Sequence, residues 1–159
     1  MRQLGKERPL IAFLTDFGLA DEWVALCKAV IWQRAPEAKV IDVTHLVPSY
    51  NVKAGALTLR NAALTLGAVI YLAVVDPGVG SQRRPLVLKT KNGAILVGPD
   101  NGLLLPAAEV LGGLKEAVWL TNDEFWRRPV CPTFQARDIF APVAAAVASG
   151  VALDKLGQK

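Results

Sequence analysis

The stretch "AVIYLAVVDPGVG", residues 68–80, decides the fold. Eight apolar residues run without alternation into Asp76, Pro77 and Gly78. A strand with one wet face alternates apolar and polar positions, whereas a strand covered on both faces reads as a continuous apolar run. Residues 68–75 are therefore read as a buried strand that needs helices above and below it.

The residues before it supply that cover. "PLIAFLT" (9–15) is a second apolar strand, and "DEWVALCKAVIWQR" (21–34) has helical periodicity, with Asp21 as its expected N-cap and Pro36 beyond its end. "KVIDVT" (39–44) is a strand and "NVKAGALTLRNAALTL" (51–66) a helix closed by Gly67. The order strand, helix, strand, helix, strand predicts an α/β fold: a Rossmann-like, mostly parallel sheet with helices on both faces. After it, "PLVLKT" and "GAILVG", joined by the turn-like "KNG", read as a hairpin added to the sheet. "LLLPAAEVLG" is a short helix, "EAVWLT" (116–121) a strand, and "DIFAPVAAAVASG" (138–150) a last helix with Gly150 as C-cap.

At 159 residues the chain has room for one domain, 1–159, and 52% hydrophobic against 20% charged residues is a globular composition. No apolar run is long enough to span a membrane, and "MRQLGKERP" lacks a signal peptide's apolar core, so a cytoplasmic location is expected. Cys27 and Cys131 suit unpaired thiols, with no role assigned to either. The net charge of +4 is spread over short clusters and lacks the basic stripe interleaved with aromatics that nucleic-acid binding needs.

In an open α/β sheet, ligands bind beyond the carboxyl ends of the strands. The four candidate strand ends here are Thr15-Asp16-Phe17-Gly18, Thr44-His45, Asp76-Pro77-Gly78 and Gly98-Pro99-Asp100-Asn101-Gly102. Neither a G-x-G-x-x-G turn nor a G-K-[ST] loop is present, and "GVG" (78–80) leads into a strand rather than a helix, so phosphate-cradling loops are excluded. Three readings of Asp16 stay open at this point: a carboxylate accepting from a ribose diol, a Mg²⁺ ligand together with Asp76 and Asp100, or a cap of the following turn. His45, the single histidine, reads as a hydrogen-bonded structural residue.

Five motifs in order, "LTDFG" (14–18), "DVTH" (42–45), "VVDPGVGSQRR" (74–84), "VGPDNG" (97–102) and "TFQARDIFAPVAA" (133–145), carry a family resemblance. The chain resembles the N-terminal domain of the S-adenosylmethionine hydroxide adenosyltransferases, relatives of fluorinase and chlorinase. That resemblance implies cleavage of S-adenosyl-L-methionine by water or hydroxide at the ribose 5′ carbon, giving adenosine and methionine. It implies no cofactor beside that small-molecule substrate. It also implies a homotrimer, with a C-terminal β-rich domain that is absent from these residues or supplied by a separate chain. By the same resemblance, Asp76, Arg83 and the residue at 135 surround the nucleophilic water and Asp16 grips the ribose hydroxyls. Tyr50 lies against the nucleoside, and Asn101, Thr133, Phe134 and Ala136 line the pocket.

The family's "TFHGRD" stands here as "TFQARD", so Gln135 replaces the triad histidine and Ala136 a glycine. An amide can orient a water but cannot take its proton. Two other readings therefore accompany the hydrolase: a non-catalytic nucleoside-binding or assembly module of the same origin, and a metal-dependent phosphohydrolase using Asp16, Asp76 and Asp100. Arg137 and Asp138 are expected to tie the loop to the last helix, with Asp138 as its cap.

Overall fold

The computed structural model describes residues 8–159. Residues 1–7, which include most of the charged stretch behind the location expectation, lie outside the described residues. Seven strands form one sheet: β1 (Leu10–Thr15), β2 (Lys39–Thr44), β3 (Ile70–Val74), β4 (Pro85–Thr90), β5 (Ile95–Pro99), β6 (Leu114–Leu120) and β7 (Gly157–Gln158). Their spatial order is β2-β1-β3-β5-β4-β6-β7. β2, β1, β3 and β5 run parallel, while β4 lies antiparallel between β5 and β6, and β7 antiparallel beside β6. The expected hairpin is present, with its second strand rather than its first joined to β3. β7 was not anticipated from the sequence: two residues are too few to carry a period.

Helix α1 (Trp23–Arg34) and α4 (Ala141–Ala148) cover one face; α2 (Val52–Leu66) and α3 (Leu105–Val110) cover the other. Alternate residues of the central strands serve the two cores. Ile11, Phe13, Ile70, Leu72 and Val74 pack with Cys27, Ile31 and Phe140, whereas Ala12, Leu14, Tyr71, Ala73 and Val75 pack with Leu59, Ala63 and Leu103. This two-sided burial is why strands β1 and β3 read as unbroken apolar runs. Among the described residues no helix is long and apolar enough to cross a membrane.

Two helix starts differ from expectation. α1 begins at Trp23 with Glu22 at the boundary and no side-chain cap, because the chain bends through 19–22 and Trp23 packs edge-on against Phe17. Asp21 is left exposed and caps nothing. Asp138 does not cap the last helix either, because that helix starts earlier, as a π-helical turn at Ala136–Phe140 that runs into α4. Pro142 has no N–H to return to the Asp138 carbonyl four residues back, and that carbonyl accepts from the Arg127 amide at 2.8 Å instead. α2 is capped by Asn51, whose side chain accepts from the Ala54 amide at 2.9 Å, and it ends at Gly67 as expected. The C-cap of α4 is Ser149, one position earlier than read from the sequence, and Gly150 follows it at φ +91°.

β5 approaches β3 closely at Gly98. A Cβ there would lie 2.4 Å from the Ala73 carbonyl oxygen, a backbone atom that cannot swing aside. Gly98→Ala is expected to force the two central strands apart and cost about 2–3 kcal/mol of stability. Urea unfolding measures this, and an unchanged midpoint would show that the strands can separate freely.

Candidate active site

The strand order places β1 between β2 and β3, so the chain leaving β1 turns toward β2 while the chain leaving β3 turns the other way, toward β4 and β5. The crevice at their carboxyl ends is a topological switch point, where α/β sheets hold ligands. A cavity of about 640 Å³ opens there. It is lined by residues from β1 and its following loop (Asp16, Phe17), from α1 (Trp23) and from the end of β3 (Val74, Asp76). The loop at 131–136 closes it with Cys131, Thr133, Phe134, Gln135 and Ala136. Ser49, Tyr50 and Val79 complete the wall.

Seven of the nine residues proposed from the sequence line this cavity: Asp16, Tyr50, Asp76, Thr133, Phe134, Gln135 and Ala136. Arg83 does not line it. Its guanidinium stands behind Asp76, with Nε 2.9 Å from each carboxylate oxygen and Nη2 bonded to Oδ2 as well. The same Nη2 donates to Gln135 Oε1 at 2.7 Å. The Asp76 and Arg83 side chains are 4% and 10% exposed, so this ion pair is held in a nearly dry setting. Gly78 makes room for it: a Cβ there would sit 3.2 Å from Arg83 Cγ.

Because a guanidinium only donates, the Arg83 bond fixes the orientation of Gln135, with its carbonyl on Arg83 and its NH₂ free to donate elsewhere. The cluster therefore offers the cavity a carboxylate that accepts and an amide that donates, which is one hydrogen-bonding place for a water.

Asp16 sits across the cavity. Its Oδ2 accepts from the Tyr50 amide at 2.7 Å, and no other hydrogen bond to its carboxylate occurs among the described residues. The turn-cap reading of Asp16 does not hold, since the Thr15 hydroxyl caps that turn by accepting from the Phe17 amide at 3.1 Å. Tyr50 is the single non-glycine residue with positive φ among those described, at +62°, and the residue is 69% exposed where it lines the cavity. A tyrosine in this left-handed region is uncommon, and the Asp16 bond helps hold it there.

Asn101 is not at the cavity. Its side chain is committed to the backbone, donating to the Val75 carbonyl at 2.9 Å and accepting from the Leu103 amide at 3.1 Å. It braces the carboxyl end of β3 instead. Asp100 also lies outside the cavity, and among the described residues no three His, Cys, Asp or Glu side chains converge on a point. The three-carboxylate metal arrangement is thus not assembled by these residues. His45 is structural, as expected: it is 3% exposed, with Nδ1 2.8 Å from the Thr15 hydroxyl and Nε2 2.8 Å from Asp42.

Sequence reasoning missed Phe17, Trp23 and Cys131. Phe17, Trp23 and Phe134 meet at tilted and edge-on angles, 6.0–6.3 Å between ring centres, and make an apolar wall. The available signal was their position: Phe17 follows Asp16 directly, and Trp23 opens the first helix. Hydrogen bonding with Thr133 holds the Cys131 thiol below its ordinary pKa, whereas burial pushes Cys27 up to about 12 and keeps it a thiol.

A family model, the SAM hydroxide adenosyltransferase N-terminal domain, matches residues 11–157. A protein of Salinispora tropica named (R)-S-adenosyl-L-methionine hydrolase is 53% identical over 149 residues, covering 94% of this chain and 57% of its own. A fluorinase of Nocardia brasiliensis is more distant, 27% identical over 175 residues, covering 96% of this chain and 58% of its own. The crystal structure of an uncharacterized conserved protein from Thermotoga maritima superposes with a TM-score of 0.90 at 42% identity, covering 93% of this chain and 57% of that one. The chain spans a little over half the length of these relatives.

Proposed function

This chain belongs to the SAM hydroxide adenosyltransferase family, and from that membership we propose that it cleaves S-adenosyl-L-methionine with water, forming adenosine and methionine. The observation that carries the reading is the pairing, across one cavity, of Asp16 with the Asp76–Arg83–Gln135 cluster. Asp16 has a carboxylate oxygen available for a ribose hydroxyl, and the aromatic wall of Phe17, Trp23 and Phe134 suits an apolar or cationic ligand surface.

In the proposed step, the oxygen of a water held by Asp76 and the Gln135 amide attacks the 5′ carbon. The carbon–sulfur bond breaks as the new carbon–oxygen bond forms, and its electron pair stays on sulfur, which leaves as the neutral thioether of methionine. No acid is needed for that leaving group. The difficulty lies in the nucleophile, since water's own pKa is near ~15.7. Asp76 is the assigned acceptor of the proton, and Arg83 holds its carboxylate in place through both oxygens. Arg83 thus acts through Asp76 and Gln135 and is a positioning residue. Holding water and carbon in line supplies the rest of the acceleration.

The proposal extends to a homotrimeric, cytoplasmic protein. Support for a covering surface comes from Trp23 and Tyr50, which line the cavity yet are 44% and 69% exposed, and from the exposed Leu19 and Leu46 in the segments that follow β1 and β2. Sedimentation velocity reads the assembly.

Incubating the purified chain with S-adenosyl-L-methionine and chromatographing for adenosine and methionine tests the activity, with Asp76→Ala as control. Equal product from both proteins, or calorimetric adenosine binding with no turnover, would overturn it. Gln135→His exchanges an amide that cannot bind a proton for an imidazole that titrates near neutrality. It is expected to raise kcat about tenfold and to introduce a pH dependence near ~6.5. A folded variant with unchanged or lower kcat would count against the role given to position 135.

A further inference from the structure

The Asp76–Arg83–Gln135 cluster is a partition between two depressions. Asp76 lines only the cavity described above; Arg83 lines only a second groove of about 410 Å³; Gln135 lines both. The groove is bounded chiefly by the segment 81–85, by Trp119, Leu120 and Thr121, and by Trp126.

The chemistry of its wall is one-sided. No aspartate or glutamate lines it. Arg84 is exposed and stacks on Trp119, its guanidinium carbon 5.0 Å from the ring centre, and it forms no ion pair among the described residues. Arg83 spends Nε and Nη2 on Asp76 and Gln135, and its Nη1 takes no acceptor among the described residues. The Trp126 indole nitrogen is buried and likewise has no acceptor. Guanidinium and indole N–H groups can only donate, and buried donors left unpaired are uncommon because they are costly. One buried donor, Trp126 Nε1, and two cationic groups without acceptors among the described residues, beside an acid, Asp76, that is already committed to Arg83, call for a ligand that accepts.

We propose that this groove is a binding site for a small oxyanion, a carboxylate or a phosphate, received by Arg84 and the free edge of Arg83 with the Trp126 N–H as the neutral donor. Charge-assisted, forked bonds from guanidinium to such an anion are the strong kind. The site is separate from the cavity assigned to the nucleoside.

Calorimetric titration with inorganic phosphate and, separately, with acetate tests it at constant ionic strength, on the wild type, Arg84→Gln and Lys53→Gln. Lys53 is exposed on α2, outside the groove, and its replacement removes the same charge. One of the two anions is expected to bind saturably, about tenfold more weakly to Arg84→Gln and unchanged to Lys53→Gln. The tighter anion identifies the ligand as phosphate-like or carboxylate-like. The Trp126 indole proton resonance, assigned by its loss in Trp126→Phe, is expected to shift over the same concentrations. Absence of saturable binding by both anions, equal weakening in the two charge variants, or a fixed Trp126 resonance would overturn the proposal. No S-adenosyl-L-methionine is present in these titrations, so their outcome is independent of whether the chain hydrolyses it.

Discussion

Asp76→Asn is expected to lower kcat for adenosine formation by about a hundred- to ten-thousandfold, the range spanned by loss of a positioned base, with KM nearly unchanged. Asparagine keeps the size and shape of the side chain but cannot take a proton from water. It also presents one oxygen where Arg83 now grips two. KM is spared because the ribose contacts are assigned to Asp16, across the cavity. Far-ultraviolet dichroism and the urea midpoint establish that the variant is folded. A folded Asp76→Asn protein with kcat within about threefold of wild type, well short of the loss expected for a base, would remove Asp76 from the chemistry. It would leave the cavity as a binding site.

Asp138→Ala is expected to be the most damaging substitution for stability. Asp138 is fully buried, and its carboxylate accepts from Arg137 Nε at 2.8 Å and Nη2 at 3.0 Å, from the Cys131 amide at 2.8 Å and from Arg127 at 3.2 Å. These bonds tie the loop at 127–131 to the π-helical turn that carries Gln135 and Ala136 into the cavity. Removing the acid strands the Cys131 amide and leaves Arg137 unpaired, at a cost of about 3 kcal/mol, the low end for a broken buried pair because both arginines reach solvent.

The pH dependence has a definite sign. Burial pushes the Asp138 pKa up, but the bonds from Arg137, the Cys131 amide and Arg127 outweigh it and hold the carboxyl below the usual range. A group with a depressed folded pKa stabilises the protein above its unfolded value, near ~3.9, and that contribution is lost as pH falls through the folded value. The gap in urea midpoint between wild type and Asp138→Ala is therefore expected to be widest near neutrality and to narrow below about pH 4. A gap that is constant with pH would mean that packing, not the ion pair, accounts for the loss.

The layered α/β fold was legible because its signals are local. An unbroken apolar run needs cover on both faces whatever its partners, and of the helices between the runs α2 carries a clear apolar stripe, Ala56, Leu59 and Ala63, whereas α1 is apolar on more than one side and was legible from its length and position. Helix ends were less legible. Asp21 and Asp138 are both competent caps by type, yet one is left in solvent by the packing of Trp23 and the other is drawn into the core by two arginines. The strand ends that collect polar residues were also visible in the sequence and supplied Asp16 and Asp76, whereas Tyr50 and residues 133–136, which line the same cavity, were named from the family motifs.

What the amino-acid order determined by itself was six of the seven strands, that the central ones are covered on both faces, and that Asp16 and Asp76 stand at strand ends. Tertiary structure alone decided which polar groups meet. Gln135 reaches Arg83 across 52 residues, and Asp16 holds the Tyr50 amide across 34. Asn101, placed at the same end of the sheet, turns to the backbone of β3 instead. Periodicity reports the face a residue presents, because that depends on its own backbone; a hydrogen-bond partner depends on strand order and on where distant loops close. That is why Arg83 could be named from its motif, but its station behind Asp76, with a second groove at its back, emerged only from the fold.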